Sequence, residues 1–404
     1  MNNRDIIITS FLAFISSFEA TMILVAIPEI SAYFGITHFE ASFLISIYVA
    51  IEALLFVPFA IVFERIGLKI GMILGGILLV IGGILIFLSS TFLEIELFRV
   101  MQAVGASIVL PTSLAYASST GDDASRGHAI GINHTIVSLG YVIGLPIGGL
   151  VTLFNWKILF LVSSTLALIT LISILTVNDI KSVSTIGIKA LGPSLMLSGI
   201  VLLPLNIWLG IAVILFGLVT SLRTTLPKEY IKSSVSGFLH SVTRNAFAAF
   251  LVFFYSHLGY TSLQYGLLIL LYPLSFTFVS LAAGKASDRF GRKLVSILGF
   301  VAMALFSLSI FINSILAEIL LGMATGIATT SNTSYTMNSL EKENRIVGSA
   351  LRTLQGTVSM SLGLSLGSII QIVPENIVTI LVVLNLASAM IALFYKTGNK
   401  GRVI

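Results

Sequence analysis

Almost the whole chain is divided into runs of apolar residues separated by short polar connections. Fourteen runs can be read, at 6–28, 42–63, 70–90, 95–118, 128–154, 158–177, 190–205, 207–222, 234–257, 263–283, 293–312, 316–338, 346–372 and 376–395. About 20 such residues in a helix cover the roughly 30 Å of hydrocarbon in a bilayer. Away from water, a helix is also the structure that satisfies every backbone N–H and C=O within one such segment. The pattern predicts an all-α polytopic membrane protein whose connections leave no room for a soluble domain. The seventh and eighth runs are short: 16 residues at about 1.5 Å each reach only about 24 Å. Local bilayer thinning or tilted neighbours would accommodate them.

Charge sets the orientation. Of the 22 Lys and Arg, Arg99, Arg244 and Arg352 fall well inside runs, and Lys157 lies in a connection on the side opposite the N-terminus. All the others lie on the N-terminal side, including Arg4, Arg65, Lys69, Arg126 and Lys293. Basic residues collect in cytoplasmic connections, so both termini are expected in the cytoplasm and the protein in the plasma membrane. Lys181 and Lys189 precede the short pair and Lys228 and Lys232 follow it. That pair is therefore read as crossing twice, with its turn at Pro204 to Asn206.

Composition agrees. The chain is 56% hydrophobic and 10% charged, against about 25% charged in a soluble domain, so lipid must cover most of its surface. Its mean hydropathy is +1.06. The formal charge of +5 comes from the basic connections, and no nucleic-acid partner is expected. The lack of Cys excludes thiolate metal sites, disulfides and Cys nucleophiles. The first run is long and leads into further spans, so it is read as a retained helix and not a signal peptide.

The chain also repeats itself. Phe63-Glu-Arg-Ile-Gly-Leu-Lys69 recurs as Ser287-Asp-Arg-Phe-Gly-Arg-Lys293, an offset of 224 between Gly67 and Gly291. Ser138-Leu-Gly-Tyr-Val-Ile-Gly144 is echoed by Ser361-Leu-Gly-Leu-Ser-Leu-Gly367. This predicts two six-helix bundles in parallel orientation, 1–180 and 233–404, joined by a linker at 181–232 that carries two short transmembrane helices.

Several charged residues lie inside the apolar runs: Glu19, Glu52, Arg99, His134, Arg244 and Arg352. Each costs about 2.5–3.5 kcal/mol or more at bilayer depth and needs a partner, a proton or a wet cavity. Repeated charge of this kind marks a path through the membrane. Glu19 reads either as a proton site or as a neutral acid bonded to a nearby hydroxyl. Glu52 follows Tyr48 by one turn and is read as a proton site or a structural partner. Arg99 shares a stripe with Glu96 and Gln102; it cannot deprotonate, so pairing with Glu19 or Glu52 is expected. His134 reads better as a bonded interior histidine than as a proton shuttle. Arg244 shares a face with His240, which lies near a cytoplasmic end and is read as wet. Arg352 is expected to face the interior of the second half, where it could bind an anionic substrate.

These residues resemble the major facilitator superfamily, and within it the fourteen-span drug:proton antiporters. Gly284-Lys-Ala-Ser-Asp-Arg-Phe-Gly-Arg-Lys293 is similar to the loop signature G-x-x-x-D-R-x-G-R-K. The resemblance carries a gating role to Gly284, Asp288, Arg289, Gly291, Arg292 and Lys293. The first-half copy keeps Arg65, Gly67 and Lys69, with Glu64 in place of Asp, Ala60 in place of Gly and Leu68 in place of Arg. Arg99-Val-Met-Gln-Ala-Val-Gly105 resembles R-x-x-Q-G-x-G, with Ala103 replacing Gly. In the fifth helix, Gly140, Gly144, Gly148 and Gly149 match the antiporter signature G-x-x-x-G-P-x-x-G-G, while Pro146 sits one residue late. Glu19-Ala-Thr-Met-Ile-Leu-Val-Ala-Ile-Pro28 is similar to D-x-T-x-x-x-x-A-x-P of the fourteen-span branch. Asn155-Trp-Lys157 looks like that branch's Trp-Arg.

The loop signature also has a mechanical reading. A carboxylate at Asp288 can accept from N–H groups at a helix N-terminus and pair with an Arg, while Gly291 supplies a turn with positive φ. The glycines four apart on the fifth helix permit close helix contact.

The resemblance implies proton-coupled efflux of small amphipathic or cationic compounds by alternating access, with Glu19, Glu52, Arg99, Gln102, His134, Arg244 and Arg352 as coupling or substrate-binding residues. The alternative is proton-coupled transport of a metabolite such as an organic acid or sugar. An enzyme is not expected: no H-E-x-x-H zinc motif and no G-x-x-x-x-G-K-[ST] phosphate loop occurs. No cofactor or metal is expected, protons being the coupling ion. The expected partners are a small-molecule substrate and lipid, with the chain as a monomer.

Overall fold

A computed structural model describes residues 3–120, 125–152, 154–181, 187–203, 206–221, 226–260, 262–370 and 373–396. Among these residues there are fifteen α-helices and no strand. They are α1 (Asn3–Phe34), α2 (His38–Ile66), α3 (Leu68–Leu88), α4 (Phe92–Ser119), α5 (Arg126–Thr152), α6 (Ile158–Ile174), α7 (Leu191–Leu202), α8 (Ile207–Ser221), α9 (Lys228–His257), α10 (Ser262–Ile269), α11 (Leu271–Phe290), α12 (Arg292–Phe306), α13 (Ser314–Asn338), α14 (Arg345–Ile370) and α15 (Pro374–Leu393). The expected tenth span is two helices, α10 and α11, parted at Leu270. Pro273 explains the break, because it has no N–H to donate back across that turn. The turn expected at Pro204 lies outside the described residues, as do Arg223, Lys400 and Arg402.

Among the described residues, eight segments are long and apolar enough to cross a membrane, and α6, α8 and the 187–202 segment are shorter apolar helices. Helices α4, α9 and α14 have 28, 30 and 26 residues. They are the helices that carry Arg99, Arg244 and Arg352, and their polar residues turn inward. On α4, for example, every residue from Pro111 to Ser119 is buried.

The chain separates into two compact units. Unit 1 holds 1–120, 136–225 and 342–358; unit 2 holds 121–135, 226–341 and 359–404. The first residues of α5 therefore group with the second half of the sequence, and the first part of α14 with the first half.

Within unit 1, α4 packs on α1, α2 and α3, and α6 packs on α1 and α3. Unit 2 repeats this arrangement, with α13 on α9, α11 and α12, and α15 on α9 and α12. Small residues set the closest approaches. A Cβ on Gly75 of α3 would stand 2.8 Å from Gly105 O, and one on Gly105 2.6 Å from Gly75 O. Helices α7 and α8 form a hairpin on the same principle: a Cβ on Gly199 would lie 2.8 Å from Gly210 O. Ser198 Oγ ties α7 to α2 by donating to Ala53 O at 2.6 Å.

Candidate functional site

Unit 1 buries a charged cluster at the meeting of α1, α2 and α4. Glu19 is 0% exposed and Arg99 1%. Glu19 Oε1 accepts from Gln102 Nε2 at 2.9 Å, and Gln102 Oε1 accepts from Arg99 Nη1 at 2.9 Å. Arg99 Nη2 donates to the backbone carbonyl of Glu19 at 3.2 Å. The guanidinium lies 4.0 Å from the centre of the Tyr48 ring, a cation–π contact, and Glu52 is buried one turn further along α2. Glycines on α3 make the room: a Cβ on Gly82 would stand 2.7 Å from Gln102 Cγ, and one on Gly83 2.1 Å from Ser164 Oγ.

Direct pairing of Arg99 with Glu19 or Glu52 is the expectation that this geometry corrects. Among the described residues no ion pair joins them. Gln102, one turn along α4 from Arg99, takes the place between the two charges, although the Arg99 charge still acts through space on both carboxyls. The guanidinium can only donate, so it fixes the Gln102 amide with its oxygen toward Arg99 and its NH2 toward Glu19. Glu19 Oε1 is thus held as an acceptor whatever the charge state. Oε2 has no hydrogen-bond partner among the described residues and is the oxygen free to carry a proton. Ser163 Oγ lies beside the carboxyl but donates to Phe160 O at 3.1 Å.

Unit 2 contains the complete loop signature. Gly291 has φ 97° between α11 and α12, and Gly67 has φ 130° between α2 and α3. Asp288 accepts from Gly127 N at 3.0 Å and His128 N at 2.8 Å, the first N–H groups of α5, and pairs with Arg292 at 2.8 Å. A carboxylate on a helix N-terminus is favourable. Gly284 permits the approach, since a Cβ there would lie 2.4 Å from Gly127 O. Arg292 Nε donates to Ser334 Oγ at 2.8 Å. Arg289 is exposed, 5.3 Å from the Phe290 ring.

The signature lysines have roles that the motif alone did not disclose. Lys293 Nζ donates to Leu393 O and Tyr395 O at the end of α15, at 2.7 and 2.8 Å. Lys69 Nζ donates to Leu175 O after α6 at 2.6 Å, and its backbone N–H to Asp179 Oδ1 at 3.0 Å. Each lysine closes the last helix of its repeat. Lys157 does the same for α3, donating to Ser89 O at 2.6 Å. In the first-half copy Glu64 is fully buried and Arg65 exposed.

The remaining candidates lie apart from the Glu19 cluster. His240 is 1% exposed and bonded at both nitrogens, to Asn385 Oδ1 at 2.8 Å and Thr329 Oγ1 at 3.3 Å, which corrects the wet reading. Arg244, half-buried on α9, makes no hydrogen bond or ion pair among the described residues, and its charge acts on Tyr272. His134 is half-buried in the α5 segment of unit 2. Arg352 is buried in the 342–358 segment, which groups with unit 1 and not with the second half as expected. On α5, a Cβ on Gly140 would stand 2.4 Å from Phe14 O and one on Gly144 2.0 Å from Thr21 Oγ1, so this stretch is pressed on α1. Gly148 is buried, Pro146 is exposed, and Gly149 has no neighbour within 4 Å of its Cβ position.

The sequence profile of the Major Facilitator Superfamily matches residues 9–232 and 233–402. The chain belongs to that superfamily. It is a membrane-embedded transporter and not an enzyme. Over 395 residues it is 23% identical to the riboflavin transporter RibZ of Clostridioides difficile (strain 630), covering 87% of this chain and 84% of RibZ. Over 368 residues it is 25% identical to the quinolone resistance protein NorB of Staphylococcus aureus (strain MRSA252), covering 80% and 78%. A 153-residue stretch is 31% identical to the methyl viologen resistance protein SmvA of Salmonella typhimurium (strain LT2), covering 37% of this chain and 31% of SmvA. Among solved structures, the human organic anion transporter MFSD10 shares the fold, with TM-score 0.75, 14% identity and coverage of 97% and 100%.

Proposed function

We propose that this transporter exports small amphipathic or cationic compounds in exchange for protons, by alternating access, with Glu19 as the coupling carboxyl. The observation that carries this reading is the Glu19–Gln102–Arg99 arrangement. One carboxyl oxygen is pinned by a neutral amide and the other has no hydrogen-bond partner among the described residues, while a fixed positive charge stands close by without an ion pair among them. A carboxyl of this kind changes its proton content when access or the position of Arg99 changes, and that is the basis of exchange. The drug-resistance relatives NorB and SmvA support the substrate class. In this reading Glu52 assists, Asp288 governs switching, the chain works as a monomer in the plasma membrane with both termini cytoplasmic, and protons replace any cofactor. A second reading, proton-coupled transport of a compound with an anionic group, rests on Arg244, which makes no ion pair among the described residues.

The test is transport by purified protein in proteoliposomes under an imposed pH gradient, with a quinolone, methyl viologen and riboflavin as probes. Wild-type protein is expected to move one of them uphill, and Glu19→Gln to bind it but lose the uphill component. Uphill transport by Glu19→Gln at the wild-type rate rejects the assignment.

A further inference from the structure

A second carboxyl lies within the membrane-spanning part of the chain, in unit 2, and nothing in the loop or helix signatures accounts for it. Glu318, in the second turn of α13, is 0% exposed. Its Oε1 accepts a hydrogen bond from Tyr255 Oη of α9, and its Oε2 has no hydrogen-bond partner among the described residues. Facing it is the start of α11. Leu270 provides no side-chain cap for that helix, and the Tyr272 N–H in its first turn points to the carboxyl. The placement follows from a close helix contact. Gly322, one turn along α13 from Glu318, brings the two backbones together, since a Cβ there would lie 2.3 Å from Tyr272 O. Glu318 therefore stands over the first turn of α11, at the end that the Pro273 break leaves open.

The surroundings are otherwise apolar or aromatic apart from hydroxyls, among them Ser314 of α13 on the Tyr255 hydroxyl. From α9 comes Tyr255, with Tyr260 against its ring, and from α11 comes Tyr272, whose hydroxyl bonds Thr325 Oγ1 at 2.7 Å. Met303 of α12 and Ile377 of α15 belong to the same core cluster. Among the described residues no charged side chain acts on Glu318, and Arg244 acts on Tyr272 instead. A buried carboxyl without a cation is tolerated in two ways: it holds a proton, or it is ionised while an uncapped helix N-terminus faces it. Here both are available at one group. Oε2 is open to receive a proton, and the free end of α11 compensates the charge when the proton leaves. A glutamine would make the Tyr255 hydrogen bond equally well, so packing alone does not call for an acid.

We infer that Glu318 is a second proton-carrying carboxyl of the transport cycle, its charge state governed by the fit between α13 and the broken start of α11. Proton uptake places the proton on Oε2 and leaves Oε1 as the acceptor of Tyr255 Oη. This inference rests on the proton-coupled reading above, in which Glu19 is the first such group.

The experiment is pH-difference infrared spectroscopy of the purified full chain, following the protonated-carboxyl stretch. In Glu318→Gln, part of the band that grows on acidification is expected to vanish. In Tyr255→Phe that part should persist at a shifted frequency, because the carboxyl loses a hydrogen bond, and this second variant decides the matter if the first does not fold. A Glu318→Gln difference spectrum that superimposes on the wild type, or a Tyr255→Phe band at the wild-type position, overturns the inference. In proteoliposomes the protons moved per substrate should fall in Glu318→Gln, and an unchanged ratio counts against a part in the cycle. Wild-type transport that ignores a pH gradient sinks the proton-coupled reading, while the infrared result still reports whether Glu318 exchanges a proton.

Discussion

Gln102 links two buried charges that never meet. It gives its amide hydrogens to Glu19 and takes a hydrogen bond from Arg99, so both groups are partly satisfied through one neutral side chain. Replacing it by leucine keeps the bulk and removes both bonds. A buried group left unsatisfied costs about 1–3 kcal/mol, so Gln102→Leu should melt several degrees below wild type in a thermal-denaturation assay. Its transport should also respond less to a pH gradient, because Glu19 is no longer held. A variant with wild-type melting would show that the amide link carries no weight. At the same scale, the chemistry of Arg99 was legible in the sequence as a buried cation needing company. The kind of company was not, because a guanidinium bonds equally to a carboxylate, an amide oxygen or a backbone carbonyl.

Helices carry the next set of constraints. Gly144 and Gly149 both belong to the α5 signature yet differ in what surrounds them. A methyl on Gly144 would stand 2.0 Å from Thr21 Oγ1 and 2.9 Å from Phe18 O, whereas one on Gly149 meets nothing within 4 Å. Gly144→Ala should destabilise by about 1–3 kcal/mol through overpacking. Gly149→Ala should be neutral or stabilise by up to about 1 kcal/mol from helix propensity. Melting curves of the two variants with equal shifts would contradict this division.

Glu229 ties three helix ends together. It accepts from Lys232 Nζ, Tyr335 Oη and Lys396 N, each at 2.9 Å. Partial withdrawal from water pulls its pKa up, but the Lys396, Lys232 and Tyr335 donors outweigh that and hold it below the usual glutamate value. A carboxyl depressed in the folded state contributes its stability above the unfolded value and loses it as pH falls through the folded one. Melting temperature should therefore drop on acidification through the carboxylate range in wild type and drop less in Glu229→Gln. Parallel profiles would rule out this contribution.

At the scale of the molecule, the repeat is visible both in sequence and in packing. The contacts of α1, α2, α3, α4 and α6 reappear among α9, α11, α12, α13 and α15, and Lys69 and Lys293 close equivalent helices. The charged groups do not follow the repeat. The Glu19 cluster belongs to unit 1, and the complete Asp288 signature to unit 2. Asp288 holds two N–H groups of α5 and the Arg292 guanidinium, so it acts on helix ends and not on the buried cluster. Asp288→Asn keeps the size, loses the charge and weakens the hold on the α5 N-terminus by about 0.3–1 kcal/mol or more. It should slow turnover in proteoliposomes and leave equilibrium binding of a transported probe nearly unchanged. Loss of binding with normal turnover of the bound fraction would place Asp288 in the substrate site instead.

Hydropathy alone determined that the chain is a bundle of membrane helices, because that signal is local and needs no partner. The internal repeat and the depth of Glu19, Glu52 and Arg99 were equally legible, being matters of spacing along one chain. No motif marks Glu318, and only the packing of α13 on α11 at Gly322 shows it buried. Asp179 and Glu229 looked like ordinary polar connections until Lys69 and Tyr335 were brought beside them from 110 and 106 residues away. The grouping of residues 121–135 with unit 2 was likewise invisible, since a helix pattern specifies which face is apolar but not which neighbour covers it. Those decisions fall to tertiary structure, where backbone contacts at glycines fix how each helix is turned and thereby which buried polar atoms meet.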